Sequence, residues 1–225
     1  MAGPRSFRAL RSLFARVPWA QEKIRLGCAR VSCARARRSV KGVDGLLLAG
    51  GRSSRFGRDK RVALLSGEPL WAITLGKLRR VAGGRVMIAG GGGPALYRHG
   101  SRVEKVPDAV IGGGPLAALV AGLQRSSSGL VVLACDLPWI SSSVLEGVAR
   151  AGLACGLPVA PRGPRGWEPL AAWYPVSVLP LALSLLGGGC ASPQRLLDKA
   201  GALALDWPAR RQFRNVNRQG DLPAA

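Results

Sequence analysis

Three short runs, Val43–Ala49, Arg85–Ala89 and Leu130–Cys135, are apolar almost throughout, and each stops abruptly at glycine or aspartate. Runs this short that do not alternate with polar residues suit strands buried on both faces, which antiparallel surface sheets do not require. Between them lie stretches with helical spacing, Pro69–Val81, Pro115–Leu123 and Ser141–Ala151. Strand and helix in turn predict an α/β fold with a mostly parallel sheet covered on both faces, and the function at the carboxyl ends of the strands. The second half is less regular. Leu157–Ala160 and Glu168–Tyr174 read as strands, Val176–Leu186 and Pro193–Lys199 as helices, and Ala202–Leu205 as a last strand before a returning C-terminal strand at Phe213–Asn217.

The first apolar run leads into Leu48-Ala-Gly-Gly-Arg-Ser-Ser-Arg-Phe-Gly-Arg-Asp-Lys60. Gly50 and Gly51 allow backbone amides to approach a ligand that side chains would block, and such amides form nests for phosphate oxygens. Arg55 adds a planar fork and Lys60 a mobile point charge. A triphosphate fits that combination better than a bare turn does. Gly57 is followed by Arg58-Asp59-Lys60 with no adjacent Lys-Ser/Thr, so a P-loop is disfavoured. Gly90–Gly93 followed by Pro94 reads as a turn, since the dinucleotide glycine spacing is absent.

Charge gives a weaker signal. The net charge of +21 would suit nucleic acid, but residues 1–41 hold 11 of the 33 basic residues and one acid, Glu22. That leader has the composition of a transit peptide, a disordered extension or sequence upstream of the true start, and is expected to take no part in chemistry. Residues 42–225 are expected to form one domain. No apolar stretch approaches the roughly 20 residues that span a bilayer. Five scattered cysteines without a C-x-x-C pair, and His99 as the lone histidine, disfavour a zinc site or disulfide framework and suit a reducing cytoplasm.

The run from Leu48 to Lys60 resembles the signature of nucleotidyltransferases, and its ordered companions resemble those of the molybdenum-cofactor guanylyltransferase family. These are Pro107–Leu119 (PDAVIGGGPLAAL), Ala134–Ile140 (ACDLPWI), Glu168–Tyr174 (EPLAAWY) and Phe213–Leu222 (FRNVNRQGDL). The resemblance implies a three-layer αβα sandwich with a Rossmann-like, mostly parallel mixed sheet of the nucleotide-diphospho-sugar transferase type. It implies transfer of GMP from GTP to the terminal phosphate of molybdopterin or Mo-molybdopterin, with release of pyrophosphate. It places Arg55, Lys60 and Asp136 in catalysis, Leu48, Ala49, Gly50, Gly51, Lys60, Asp108 and Asp136 on the nucleotide, and Mg²⁺ on Asp136. It sets Glu168–Tyr174 near the acceptor. Molybdoenzyme apoproteins or their chaperones are expected as downstream partners of a cytoplasmic monomer, and neither membrane nor nucleic acid is expected.

Other roles for the same residues stay open. Asp136, before Leu137-Pro138, could cap the following helix or a turn. Gly112–Pro115 suits both an anion-binding helix start and a plain turn. Asp108 could simply initiate a loop; Cys135 reads as a buried thiol, His99 as a surface residue, and Asn215 and Asn217 as structural. Phe56 stands where the signature usually has Met. The asparagine usual near Ala89 is missing, which opens the choice between GTP and CTP. A related nucleotidyltransferase with another phosphorylated acceptor and a catalytically silent, basic nucleic-acid-binding protein are the competing readings.

Overall fold

The computed structural model describes residues 39–50, 63–90, 103–107, 113–163, 166–207 and 210–222. Strands β1 (Asp44–Leu48), β4 (Val86–Ala89) and β6 (Gly129–Ala134) lie side by side, parallel and buried at every position. Their apolar runs thus have the environment that continuous hydrophobicity calls for. A small hairpin, β2 (Leu64–Leu65) and β3 (Glu68–Pro69), precedes β4 in the chain. Strand β5 (Val103–Val106) pairs with β4, and β7 (Val159–Gly163), β8 (Gly166–Trp167), β9 (Ala171–Pro175) and β10 (Leu203–Leu205) extend the sheet on the other side.

The order is β10-β7-β9-β6-β1-β4-β5, with β8 folded back on β7. Only β9 runs against this path, antiparallel to both β6 and β7. Every other strand on it therefore ends at one common edge. Helices α1 (Leu70–Val81) and α3 (Ser142–Cys155) cover one face. Helices α2 (Gly114–Leu123), α4 (Leu179–Gly187) and α5 (Pro193–Lys199) pack together on the other. This is the expected three-layer αβα sandwich.

Local sequence explains the packing. Helix α1 buries Leu70, Trp71, Thr74, Leu75, Leu78 and Val81, the spacing of one helical stripe, and carries Arg79 and Arg80 in its last turn, where cations favour the helix dipole. On α3, a side chain at Gly152 would place its Cβ 1.8 Å from Trp173 Cδ1, so the missing side chain is what lets the helix seat on β9. Val40 joins the core ahead of β1, its amide donating to Val81 O at 2.8 Å.

The C-terminal strand expected over Phe213–Asn217 does not form. Arg210–Phe213 is a turn of 3-10 helix, and residues 214–217 have no regular secondary structure. The Val216 amide donates at 2.8 Å to the Asp136 carbonyl instead of to a ladder. Among the described residues no helix is long and apolar enough to cross a membrane.

Candidate active site

The carboxyl edge of the sheet collects the ends of β1, β4 and β6. Leu48 and Ala49 are buried, so their side chains belong to the core, and Gly50 is the exposed residue of this segment. The Ala49 amide donates to Ala89 O at 2.8 Å, and Leu48 O accepts from Cys135 N at 3.0 Å. These bonds lock the three strand ends in register.

Gly50 then packs against Gly90. A Cβ on Gly90, whose φ is +97°, would lie 2.2 Å from Gly50 N and 2.3 Å from Gly50 Cα. Glycine is required at position 90 by both the contact and the backbone angle. Any bulk there would push Gly50 away from the end of β4. Gly51, Arg55, Lys60 and Asp108 lie outside the described residues.

Asp136 follows β6 at the same edge and is half-buried. Its loop is held from four directions. Val216 N bonds the Asp136 carbonyl, the Lys77 ammonium from α1 donates to Pro138 O, Gln212 Oε1 accepts the Ser141 amide at 2.8 Å, and the Arg214 guanidinium lies 5.9 Å from the Trp139 ring centre. Burial, with help from Arg80, lowers the Lys77 pKa from its ordinary 10.5. Gln212 thus meets the amide of Ser141, the N-cap of α3. A second small apolar cluster of Ala63, Leu70 and Val216, flanked by Leu65, Trp139 and Leu222, joins the start of α1 to this same assembly.

None of these supports is visible as a motif. Lys77 looks like a polar position on an amphipathic helix, and Gln212 and Arg214 sit in a stretch that reads as strand. Aromatic and basic residues in the two segments, Trp139 with Arg214, were the available signal.

Helix α2 starts at the same edge, after β5, with Pro115 in its first turn and no side-chain cap. Its first amides are thus not met by a side chain of the N-cap, Gly113, an arrangement suited to an anion. Among the described residues no three His, Cys, Asp or Glu side chains gather into a metal cluster. One carboxylate at the strand end matches the donor set of a hard divalent ion that completes its shell with water and substrate phosphates. Asp136 fits such an ion; Cys135 is buried and fits no nucleophilic role.

A mostly parallel, three-layer α/β fold with a carboxylate at its carboxyl edge places a ligand site at that edge. Comparison with known proteins agrees. The MobA-like NTP transferase domain matches residues 45–203. A probable molybdenum cofactor guanylyltransferase of Opitutus terrae is 34% identical over 194 residues, covering 81% of this chain and 94% of that protein. A molybdenum cofactor guanylyltransferase of Cupriavidus taiwanensis is 35% identical over 157 residues, 65% of this chain and 77% of that one. Among solved structures, molybdopterin-guanine dinucleotide biosynthesis protein A of Archaeoglobus fulgidus superposes with a TM-score of 0.66 at 23% identity, over 79% of this chain and 94% of that chain. The chain belongs to the MobA-like NTP transferase family and is a nucleotidyltransferase.

Proposed function

We propose that residues 42–225 transfer GMP from GTP to the terminal phosphate of molybdopterin or Mo-molybdopterin, forming the guanine dinucleotide and releasing pyrophosphate, and that residues 1–41 take no part. The observation that carries this reading is the placement of Asp136 at the end of β6, on the edge where Gly50 and Gly90 interlock at the ends of the neighbouring β1 and β4. The names of the relatives supply the base and the acceptor.

The chemistry asks little of acid–base groups. A phosphate monoester has a second pKa of about 6, so the acceptor is already a nucleophile at neutral pH. One of its oxygens attacks the α-phosphorus of GTP, the bond from that phosphorus to the bridging oxygen breaks, and pyrophosphate leaves with the electron pair. No general base is needed, which fits a chain with a single histidine, His99.

The difficulty is charge, because two polyanions must meet. Asp136 would hold Mg²⁺, which when bound neutralises charge at the α-phosphate. Gly50 and Gly51 amides orient the phosphates, and Arg55 and Lys60 stabilise the triphosphate and the departing pyrophosphate. Asp108 and the first amides of α2 complete the nucleotide side. We place this activity in the cytoplasm, in a monomer whose product passes to molybdoenzymes or their chaperones.

The test is a panel of the four nucleoside triphosphates with molybdopterin and Mg²⁺, scored by pyrophosphate release. GTP is expected to be preferred. Because β4 ends in Ala89-Gly90 without an asparagine, preference for CTP is the specific result that would reassign the base.

A further inference from the structure

On the far side of β6 from the nucleotide strands, β7 ends at the same edge, because β9 is antiparallel to both β6 and β7. Arg162 lies in the last turn-ward part of β7, paired across the β7–β8 hairpin with Trp167. Its guanidinium sits 4.9 Å from the centre of the Trp167 ring.

The ring itself is fixed. Trp167 is buried, and its Nε1–H donates at 2.7 Å to Asp198 on α5. Gly166 beside it leaves so little room that a Cβ there would lie 2.8 Å from Gln194 Nε2, also on α5. The hairpin is therefore pinned to a helix by its base, and a hydrogen bond from the indole to a carboxylate enriches the π face on which a cation stacks.

Arg162 is exposed and makes no ion pair among the described residues. Elsewhere at this edge, Lys77 is donated to Pro138 O and Arg214 faces Asp221 at 3.8 Å. Arg162 thus combines a pre-set orientation with uncompensated charge. A structural arginine would more often close on an acid, whereas this one leaves its nitrogen donors toward solvent at the ligand edge.

Distance separates its role from that of Asp136. Strands β6 and β7 are two positions apart in the sheet, about 10 Å at ordinary strand spacing. At that spacing Arg162 stands where a part of the acceptor beyond its reacting phosphate can lie. Under the function proposed above the nucleotide takes the β1, β4 and β5 side, which leaves the remainder of the acceptor to reach over β9 toward β7.

We propose that Arg162, stacked on Trp167, is an acceptor-recognition residue whose planar fork binds a pair of adjacent anionic atoms on the part of the acceptor that trails its reacting phosphate. The assignment rests on the function proposed above, under which the dithiolene of molybdopterin supplies such a pair. Guanidinium donors match two neighbouring anionic atoms at once, which a lysine ammonium does not.

Steady-state kinetics on the full chain test it. Arg162→Ala is expected to raise KM for molybdopterin about tenfold while KM for GTP stays within about twofold, and Arg162→Lys to raise the molybdopterin KM about threefold because charge survives and the fork does not. Trp167→Phe, which keeps a ring but loses the bond to Asp198, is expected to give a smaller rise of the same kind, with a melting curve run alongside to report folding. An unchanged molybdopterin KM in Arg162→Ala, or an equal rise for both substrates, overturns the assignment of Arg162 alone. Absence of GMP transfer by the unaltered protein overturns the underlying function instead.

Discussion

At the amino edge of the sheet, Asp44 opens β1 with 7% of its surface exposed, and its carboxylate is met from several sides. Arg85 N donates to Oδ1 at 2.8 Å, Ser126 Oγ donates to Oδ2 at 2.9 Å, and the Arg85 guanidinium stands 3.6 Å away. Glu104 then links Arg85 and Arg125. At the carboxyl edge, Asp136 follows the neighbouring β6 on a loop gripped at its backbone by Val216, Lys77 and Gln212, beside the interlocked Gly50 and Gly90. The same residue type closes one end of the sheet and, in the function proposed above, equips the other. Asp44 has its donors built in and serves the fold, whereas we propose that Asp136, on a loop whose main chain is held by other residues, serves a substrate-bound ion.

The sharpest way to break that contrast is to exchange the two aspartates' effects. Asp136→Asn is expected to lower kcat about 100-fold or more, in line with loss of one strong transition-state contact, with a melting temperature close to that of the unaltered protein. Lys60→Ala should behave alike. Pyrophosphate-release assays paired with thermal melts check both, and turnover within about threefold of normal would remove the residue from the site.

Gly90→Ala should weaken both the fold and nucleotide binding, since a Cβ would overlap Gly50 backbone at an unfavourable φ. About 3 kcal/mol of stability is expected to be lost, together with GTP affinity, measured by denaturant unfolding and nucleotide titration. Asp44→Ala should cost about 2 kcal/mol by leaving buried donors unmet, while the protein that remains folded keeps its kcat. A kcat loss there as large as that of Asp136→Asn would erase the distinction between the edges.

The smallest effect concerns Asp221 in the C-terminal segment. Its carboxylate accepts the Asn217 and Arg218 amides, each at 2.8 Å, and these bonds, then Arg214 and Arg218, hold its pKa below the ordinary 3.8. A lowered acid favours the folded state above pH 3.8, and that contribution fades as pH falls through the lower folded value. Asp221→Asn should therefore flatten the acid limb of the stability profile below about pH 4 and leave the neutral region nearly unchanged, as followed by melting at stepped pH.

Much of the sheet's centre was legible because β1, β4 and β6 are apolar at position after position, and α1 and α3 show a clean stripe. The edges were not. Strand β5 reads Val-Glu-Lys-Val, since an outer strand needs only one covered face, and the β2–β3 hairpin is two residues a side. Glu168–Leu170 looked like the start of a strand but turns to bring Ala171 into β9, with Glu168 N bonded to Pro161 O at 2.9 Å. The place of Asp136 followed from the apolar run before it. What braces it did not, because Lys77 and Pro138 are 61 residues apart and Gln212 lies 71 from Ser141, contacts that only the fold creates.

The central claim is that Asp136 brings a divalent ion to nucleotide phosphates at the glycine-lined edge. Equilibrium titration of GTP into the unaltered protein and into Asp136→Asn, each with and without Mg²⁺, addresses it most directly. Mg²⁺ should tighten GTP binding about tenfold in the unaltered protein and leave it unchanged in the variant. Equal tightening in both proteins would contradict the account.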